Sequence, residues 1–277
     1  MSRPGKATAL AAALAVPLCA SAGSDRADVA LVLAIDVSGS VDDSRFTLQR
    51  EGIAAALESE EVAAAVSSGV NQKIEIAVVE WAEEQRVLVP WTVLRGRAEL
   101  EALATRLRSA SRSWVHTMTD PGGGIAAAEH LFSWQPLVGL RQIIDVSGDG
   151  RQNTGEVATA DARDVAVSHG LSVNGLPIAS GDEPGIEDWY RVNVVGGPGA
   201  FLVVAGGYEA FAAAFRQKLT LEISGLAPSR KVAHASRDTY SVATGKCPID
   251  AEYRRKKAGP RPARVLCRKR AAMAASP

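Results

Sequence analysis

The sequence predicts an α/β domain: a doubly wound, mainly parallel central sheet flanked by helices, with one antiparallel edge strand. Three observations carry this prediction. Val29 to Ile35 is an unbroken apolar run, VALVLAI, of the kind needed by a strand buried on both faces. Strand-length apolar runs alternate with Ala-rich, helically spaced segments, the pattern of parallel strands joined by crossover helices. Two of the runs end in Asp- and Ser-rich turns, DVSGSVDD after Ile35 and SGDGRQN after Val146. Open sheets of this class bind ligands beyond the carboxyl ends of their strands, where these turns fall.

After the first strand, Phe46 to Leu57 and Val62 to Val66 have helical spacing. Lys73 to Trp81 and Arg86 to Pro90 read as two strands able to form a hairpin, which supplies the antiparallel edge. Glu99 to Leu107 is helical, and so is Ile125 to Phe132, whose start is signalled by Asp120-Pro121 and the glycines at 122 to 124. Leu140 to Val146 is a short apolar strand. Thr159 to Ser168 is helix, Leu171 to Ile178 strand, Ala200 to Val204 a short strand and Tyr208 to Ile223 a closing amphipathic helix. From Pro228 onward the periodicity fades while proline and basic residues accumulate. No repeat of the solenoid kind is visible.

The 277 residues, 47% hydrophobic and 22% charged, make an ordinary globular composition and exclude wholesale disorder. One domain of about 200 residues with flanking segments fits this length. Arg3 and Lys6, the apolar run Ala7 to Leu18 and the small residues Ala20-Ser21-Ala22 read as a secretory signal peptide. The expected organisation is therefore a signal peptide at 1–22, a domain at 23–227 and a basic tail at 228–277. Export to the periplasm or the cell exterior follows. No later stretch approaches the length of a membrane span, so no transmembrane segment is expected. Formal charge is zero, but Lys246 to Arg270 holds ten basic residues against Asp250 and Glu252, leaving the body mildly acidic. That acidity, with export, disfavours nucleic acid as a partner. Cleavage after Ala22 would leave Cys247 and Cys267, either bridged across a loop in the tail or as two free thiols.

The chemistry-bearing segment is Asp36-Val37-Ser38-Gly39-Ser40, which puts three oxygen-bearing side chains at alternate positions of a loop over a strand end. Oxygen-only donors suit hard divalent cations. Gly39 allows the backbone to turn tightly between the two serines. Asp145 belongs within a strand and reads as a buried carboxylate needing a neighbouring donor, outside the site.

On these residues the chain resembles the von Willebrand factor type A, or integrin I-like, family. Its metal-ion-dependent adhesion site (MIDAS) combines a DxSxS loop, a Thr from a second loop and an Asp from a third. The resemblance covers about Val29 to Ile223 and implies that Asp36, Ser38, Ser40, Thr119 and Asp149 hold the metal, with Thr117 the alternate to Thr119. Within the family the chain is similar to a branch of exported bacterial proteins without assigned function, sharing AIDVSGSVD, VPWT, IIDVSGDG, VNGLPI and GGPGAF. The second loop departs from the usual Gly-Gly-Thr. It reads His116-Thr117-Met118-Thr119-Asp120-Pro121, and Asp120 either adds a carboxylate near the metal or caps the following helix.

The resemblance implies a binding module rather than an enzyme: an adhesion or scaffold protein, monomeric before binding, whose cation recognises an Asp or Glu of a protein partner. The small donor set favours Mg²⁺ or Mn²⁺ over Ca²⁺. A structural protein with a loop-locking metal and a binding tail is the alternative. A metal-dependent hydrolase is a weaker one, since the sequence has no GxSxG elbow, P-loop or DxD phosphotransferase loop.

Overall fold

The computed structural model describes residues 26–114 and 117–226. The signal peptide, the cysteine pair and the basic tail lie outside the described residues. In chain order the elements are β1 (Arg26–Ala27), β2 (Val29–Asp36), α1 (Asp43–Leu57), α2 (Glu60–Ser68), β3 (Ile74–Trp81), β4 (Gln85–Leu94), α3 (Arg97–Ser109) and α4 (Pro121–Leu131). They continue with β5 (Val138–Gly139), β6 (Gln142–Gly148), α5 (Thr159–Ser168), β7 (Ser172–Pro177), α6 (Ile186–Asn193) and α7 (Phe211–Ser224).

Five strands form the main sheet in the order β4-β3-β2-β6-β7. Only the β3–β4 pair is antiparallel, so β4 is the antiparallel edge expected from the hairpin. All eight residues of β2 and of β3 are buried, as central strands covered on both faces require; β2 carries the apolar run, and β3 is largely apolar with Glu75 and Glu80 buried. Helices α1, α2, α3 and α7 cover one face over Leu31, Leu33, Ile53, Leu57, Phe211 and Phe215. Helices α4, α5 and α6 cover the other over Val32, Ala34, Trp81, Ile125, Ile144 and Tyr190. The register sets Asp36 opposite Trp81 and Ile35 opposite Ser147, so β2, β3 and β6 end at one level and their loops emerge together. Among the described residues, no helix is long and apolar enough to cross a membrane.

Several elements differ from the expectations. The helix expected to begin at Ile125 begins at Pro121: the Asp120 carboxylate accepts from Gly123 N–H at 3.0 Å, and capping recruits the glycines into the first turn. The strand expected at Ala200 to Val204 is instead a set of isolated parallel bridges, Leu202 with Gly175 and Ala205 with Ile178. It is flanked by Gly197, Gly199 and Gly207, all in the left-handed region, and the chain turns away before a continuous ladder forms. Helix α6 and the short parallel β1–β5 pair were not expected at all.

Asp145 does lie within β6 and does find a donor. Lys218 of α7, fully buried, sends its ammonium to within 2.5 Å of both Asp145 Oδ1 and Glu222 Oε1. Asn174 of β7 donates to the same Glu222 oxygen at 2.8 Å. This cluster ties α7 to the sheet from inside the core.

Candidate metal centre

The first loop leaves β2 at Asp36, whose Oδ1 accepts from the backbone N–H of Ser38 at 2.8 Å and turns the chain back over the strand end. The second loop braces it, since Gly39 N–H donates to the Thr117 carbonyl at 2.9 Å. Arg112 donates to the carbonyls of Val37 and Ser38 at 2.9 and 2.8 Å. With the backbone fixed on both sides, the hydroxyls of Ser38 and Ser40 stand 3.3 Å apart, and Ser40 Oγ donates to Asp149 Oδ1 at 2.5 Å. Asp36, Ser38 and Asp149 are buried, and Ser40 is exposed.

Thr119 is buried against the third loop. A Cβ on Gly150 would stand 3.1 Å from its methyl and 3.5 Å from its hydroxyl, and Asn153 of that loop accepts from its N–H at 2.8 Å. Thr117 meets the first loop through its carbonyl, while its own hydroxyl is buried without a hydrogen-bond partner. Asp120 turns away into the cap of α4, where Gln152 also donates to it at 3.3 Å. The capping reading of Asp120 is the one its contacts match.

The electrostatics of the cluster are unfavourable as it stands. Asp36 Oδ2 is buried with no hydrogen-bond partner. Burial, and then the charge of Asp149, push the Asp36 carboxyl up to about 7, against the lowering effect of its Ser38 bonds. The fit is close: a Cβ on Gly148 would lie 2.6 Å from that oxygen and 2.7 Å from the Tyr190 hydroxyl, so only glycine passes between them. Tyr190 and Tyr208 are both held protonated, chiefly by burial and then by the nearby carboxylates. Tyr208 uses its proton on Asp149 Oδ2, at 3.0 Å. Two buried carboxylates facing each other with an orphaned oxygen between loops are what a divalent cation would relieve, so the residues present fit such an ion. Among the described residues no three His, Cys, Asp or Glu cluster together. The donors here are therefore two carboxylates and hydroxyls.

Sequence reasoning brought out the loop residues but missed Arg45, Arg112, Tyr190 and Tyr208, which surround them. Arg45 had a local signal, standing in the first turn after DVSGSVDD. The other three reach the site only through the tertiary fold.

The fold that carries these loops is shared with solved structures. The chain is similar to a von Willebrand factor type A protein from Catenulispora acidiphila, at 18% identity and TM-score 0.48, covering 72% of this chain and 43% of that one. It is similar to the pilus adhesin SpaC from Lactobacillus rhamnosus GG, at 14% identity and TM-score 0.52, covering 72% and 31%. It is also similar to proximal thread matrix protein 1 from the mussel byssus, in a form with a zinc-occupied MIDAS motif, at 13% identity and TM-score 0.50, covering 73% and 48%. The chain thus spans less than half the length of each. The fold, a mostly parallel five-stranded sheet with one antiparallel pair and flanking helices, is shared with SpaC and with proximal thread matrix protein 1. No curated protein matches the chain. Residues 26–227 match the family model described as "Protein of unknown function (DUF1194)", and the chain belongs to that family.

Proposed function

We propose that the chain is an exported binding module in which Asp36, Ser38, Ser40, Thr119 and Asp149 hold a divalent cation that receives an acidic group from a protein partner. The observation that carries this reading is the orphaned, buried Asp36 Oδ2 beside Asp149, in a carboxyl whose affinity for a proton is raised by burial and then by that neighbouring charge. A buried carboxylate oxygen without a donor, beside a second carboxylate, is a pairing that a divalent cation would stabilise. Ser40, the exposed member, marks the side from which a partner reaches the ion. With two carboxylates and neutral hydroxyls as donors, the ion remains electrophilic, and a partner's Asp or Glu completes its coordination. Mg²⁺ or Mn²⁺ suits so few carboxylates better than Ca²⁺.

The likeness to an adhesin and to a matrix protein with a metal-occupied MIDAS supports recognition over catalysis. So does Tyr208, whose hydroxyl is engaged in donating to Asp149 Oδ2. Adhesion or scaffolding outside the cytoplasm, by a domain of residues 23–227 following a leader at 1–22, is the role this combination fits.

The test is capture of an immobilised acidic protein by the full chain in Mg²⁺, with and without a chelator. Capture that chelator abolishes, and that Ser38→Ala also abolishes, supports the metal face. Capture indifferent to both, and lost on truncation at Ala227, assigns binding to the tail instead.

A further inference from the structure

The rim of the metal face holds a cation that the metal-binding set itself does not require. Arg45, in the first turn of α1, donates from Nη1 to the Ser40 carbonyl at 2.9 Å and to Asp149 Oδ2 at 3.3 Å. Its Nη2 donates to Asp182 Oδ2 at 2.6 Å. The guanidinium lies over the Tyr208 ring, 5.4 Å from the centroid. Beside it opens a cavity of about 300 Å³ whose walls include Leu48, Gly206, Gly207, Tyr208 and Glu209.

These contacts divide the guanidinium into two edges. The inner edge is fixed by backbone, by Asp149 and by the aromatic ring, so the planar fork is preorganised. The outer edge holds a carboxylate from a different part of the chain: Asp182, in the loop after β7, also receives the Ser180 hydroxyl at 3.2 Å. The Asp182 side chain is 56% exposed. A pair so open to water is weak and exchangeable, whereas the fork geometry that receives it is permanent. Neutralising Asp149 needs only the inner edge.

We infer that Arg45 is a second anchor for the partner's acidic segment, beside the metal, and that Asp182 fills this anchor in the free protein until a partner carboxylate displaces it. This rests on the metal-dependent reading above and deepens it. The favoured ligand is a peptide with adjacent acidic residues, one for the cation and one for Arg45. Asp182 acts as a built-in competitor, so the free site admits only partners able to outbid an intramolecular carboxylate.

The experiment titrates a blocked Gly-Asp-Asp-Gly peptide into the Mg²⁺-loaded full chain, by NMR, for wild type, Asp182→Asn, Arg45→Gln and Asp36→Asn. Melting curves establish that each protein is folded, and a separate Mg²⁺ titration is run on each. The expected result is about threefold tighter peptide binding for Asp182→Asn and about tenfold weaker for Arg45→Gln, with Mg²⁺ still bound by both. Equal peptide affinity in wild type and both rim variants overturns the anchor, while loss in Asp36→Asn alone leaves the metal reading standing. Saturable Mg²⁺ binding with no peptide bound by any protein also overturns the anchor. Absence of Mg²⁺ binding in folded wild type defeats the underlying reading itself.

Discussion

Ser40 Oγ donates to Asp149 Oδ1 at 2.5 Å, joining the loop after β2 to the loop after β6 across 109 residues of sequence. The two strands lie side by side and end together, so the bond is a direct consequence of the sheet order. It brings an exposed hydroxyl and a buried carboxylate to one point at the top of the sheet.

Removing that hydroxyl should injure the site without injuring the fold. Ser40→Ala is expected to weaken Mn²⁺ binding on the order of tenfold to a hundredfold. Its melting temperature should fall by only a few degrees, because Ser40 is exposed and the loss is confined to one donor to Asp149. Calorimetry and a thermal melt on the same sample check both halves.

Gly148 is the steric counterpart. In Gly148→Ala the added methyl meets Asp36 Oδ2 and the Tyr190 hydroxyl at under 3 Å, and both must move. Overpacking of this kind costs about 1–3 kcal/mol. Here the displaced atom belongs to a proposed ligand, so denaturant titration should show the stability loss and metal titration a loss of affinity together.

Removing Lys218 should cost more stability than breaking a surface ion pair. Lys218→Met leaves Asp145 and Glu222 facing each other in the core, and breaking a buried ionic cluster in this way costs about 3–5 kcal/mol. At the 2–4 °C per kcal/mol typical of a domain this size, the midpoint should fall by roughly 10 °C. Adding Asp145→Asn and Glu222→Gln should recover part of that loss.

The same cluster gives stability a defined pH dependence. Burial, and then the charge of Asp145, raise the Glu222 carboxyl from 4.5 to about 8, against the lowering effects of Lys218 and Asn174. The folded state therefore holds this proton more tightly than the unfolded chain does. The resulting stabilisation is complete below about pH 4.5 and is lost as pH rises toward 8. Glu222→Gln, neutral at every pH, should flatten the decline between pH 5 and 8, as chemical denaturation at a series of pH values would show. A decline as steep in the variant would assign it to other groups.

Asp120 separates capping from metal binding. Asp120→Ala should cost about 1 kcal/mol by removing the acceptor for Gly123 N–H, whereas Asp120→Asn keeps the cap and costs less. Neither should change Mn²⁺ affinity appreciably. A marked loss of affinity in the folded Asn variant would mean that the carboxylate does serve the ion.

The long apolar runs made most of the fold legible. VALVLAI suits a central strand, and the loops at Asp36 and Asp149 followed from where such strands end. Helix α6 was not legible because IEDWYRVN is short, begins at a left-handed Gly185 and buries only Ile186 and Tyr190. The bridging segment at 201–205 has the apolarity of a strand, and the surrounding glycines deny it a continuous partner. At the site, spacing brought out Asp36, Ser38 and Ser40, whereas Thr119 and Asp149 were implied only by the family resemblance. Arg112, which holds a carbonyl 75 residues away, could not be read in either way, nor could the meeting of Arg45 with Asp182 across 137 residues. Such pairs depend on the sheet order, which local pattern does not encode. The burial of Asp145 could be read from its place in an apolar run, but its partner on α7 could not.

The most direct test of the central claim is calorimetric titration of Mg²⁺ and Mn²⁺ into the chelator-stripped protein, with Asp36→Ala as the control. The account predicts saturable binding of about one ion by wild type and none by the folded variant, whose site has lost a buried carboxylate. Binding of equal strength by both proteins, or no binding by a demonstrably folded wild type, would contradict it.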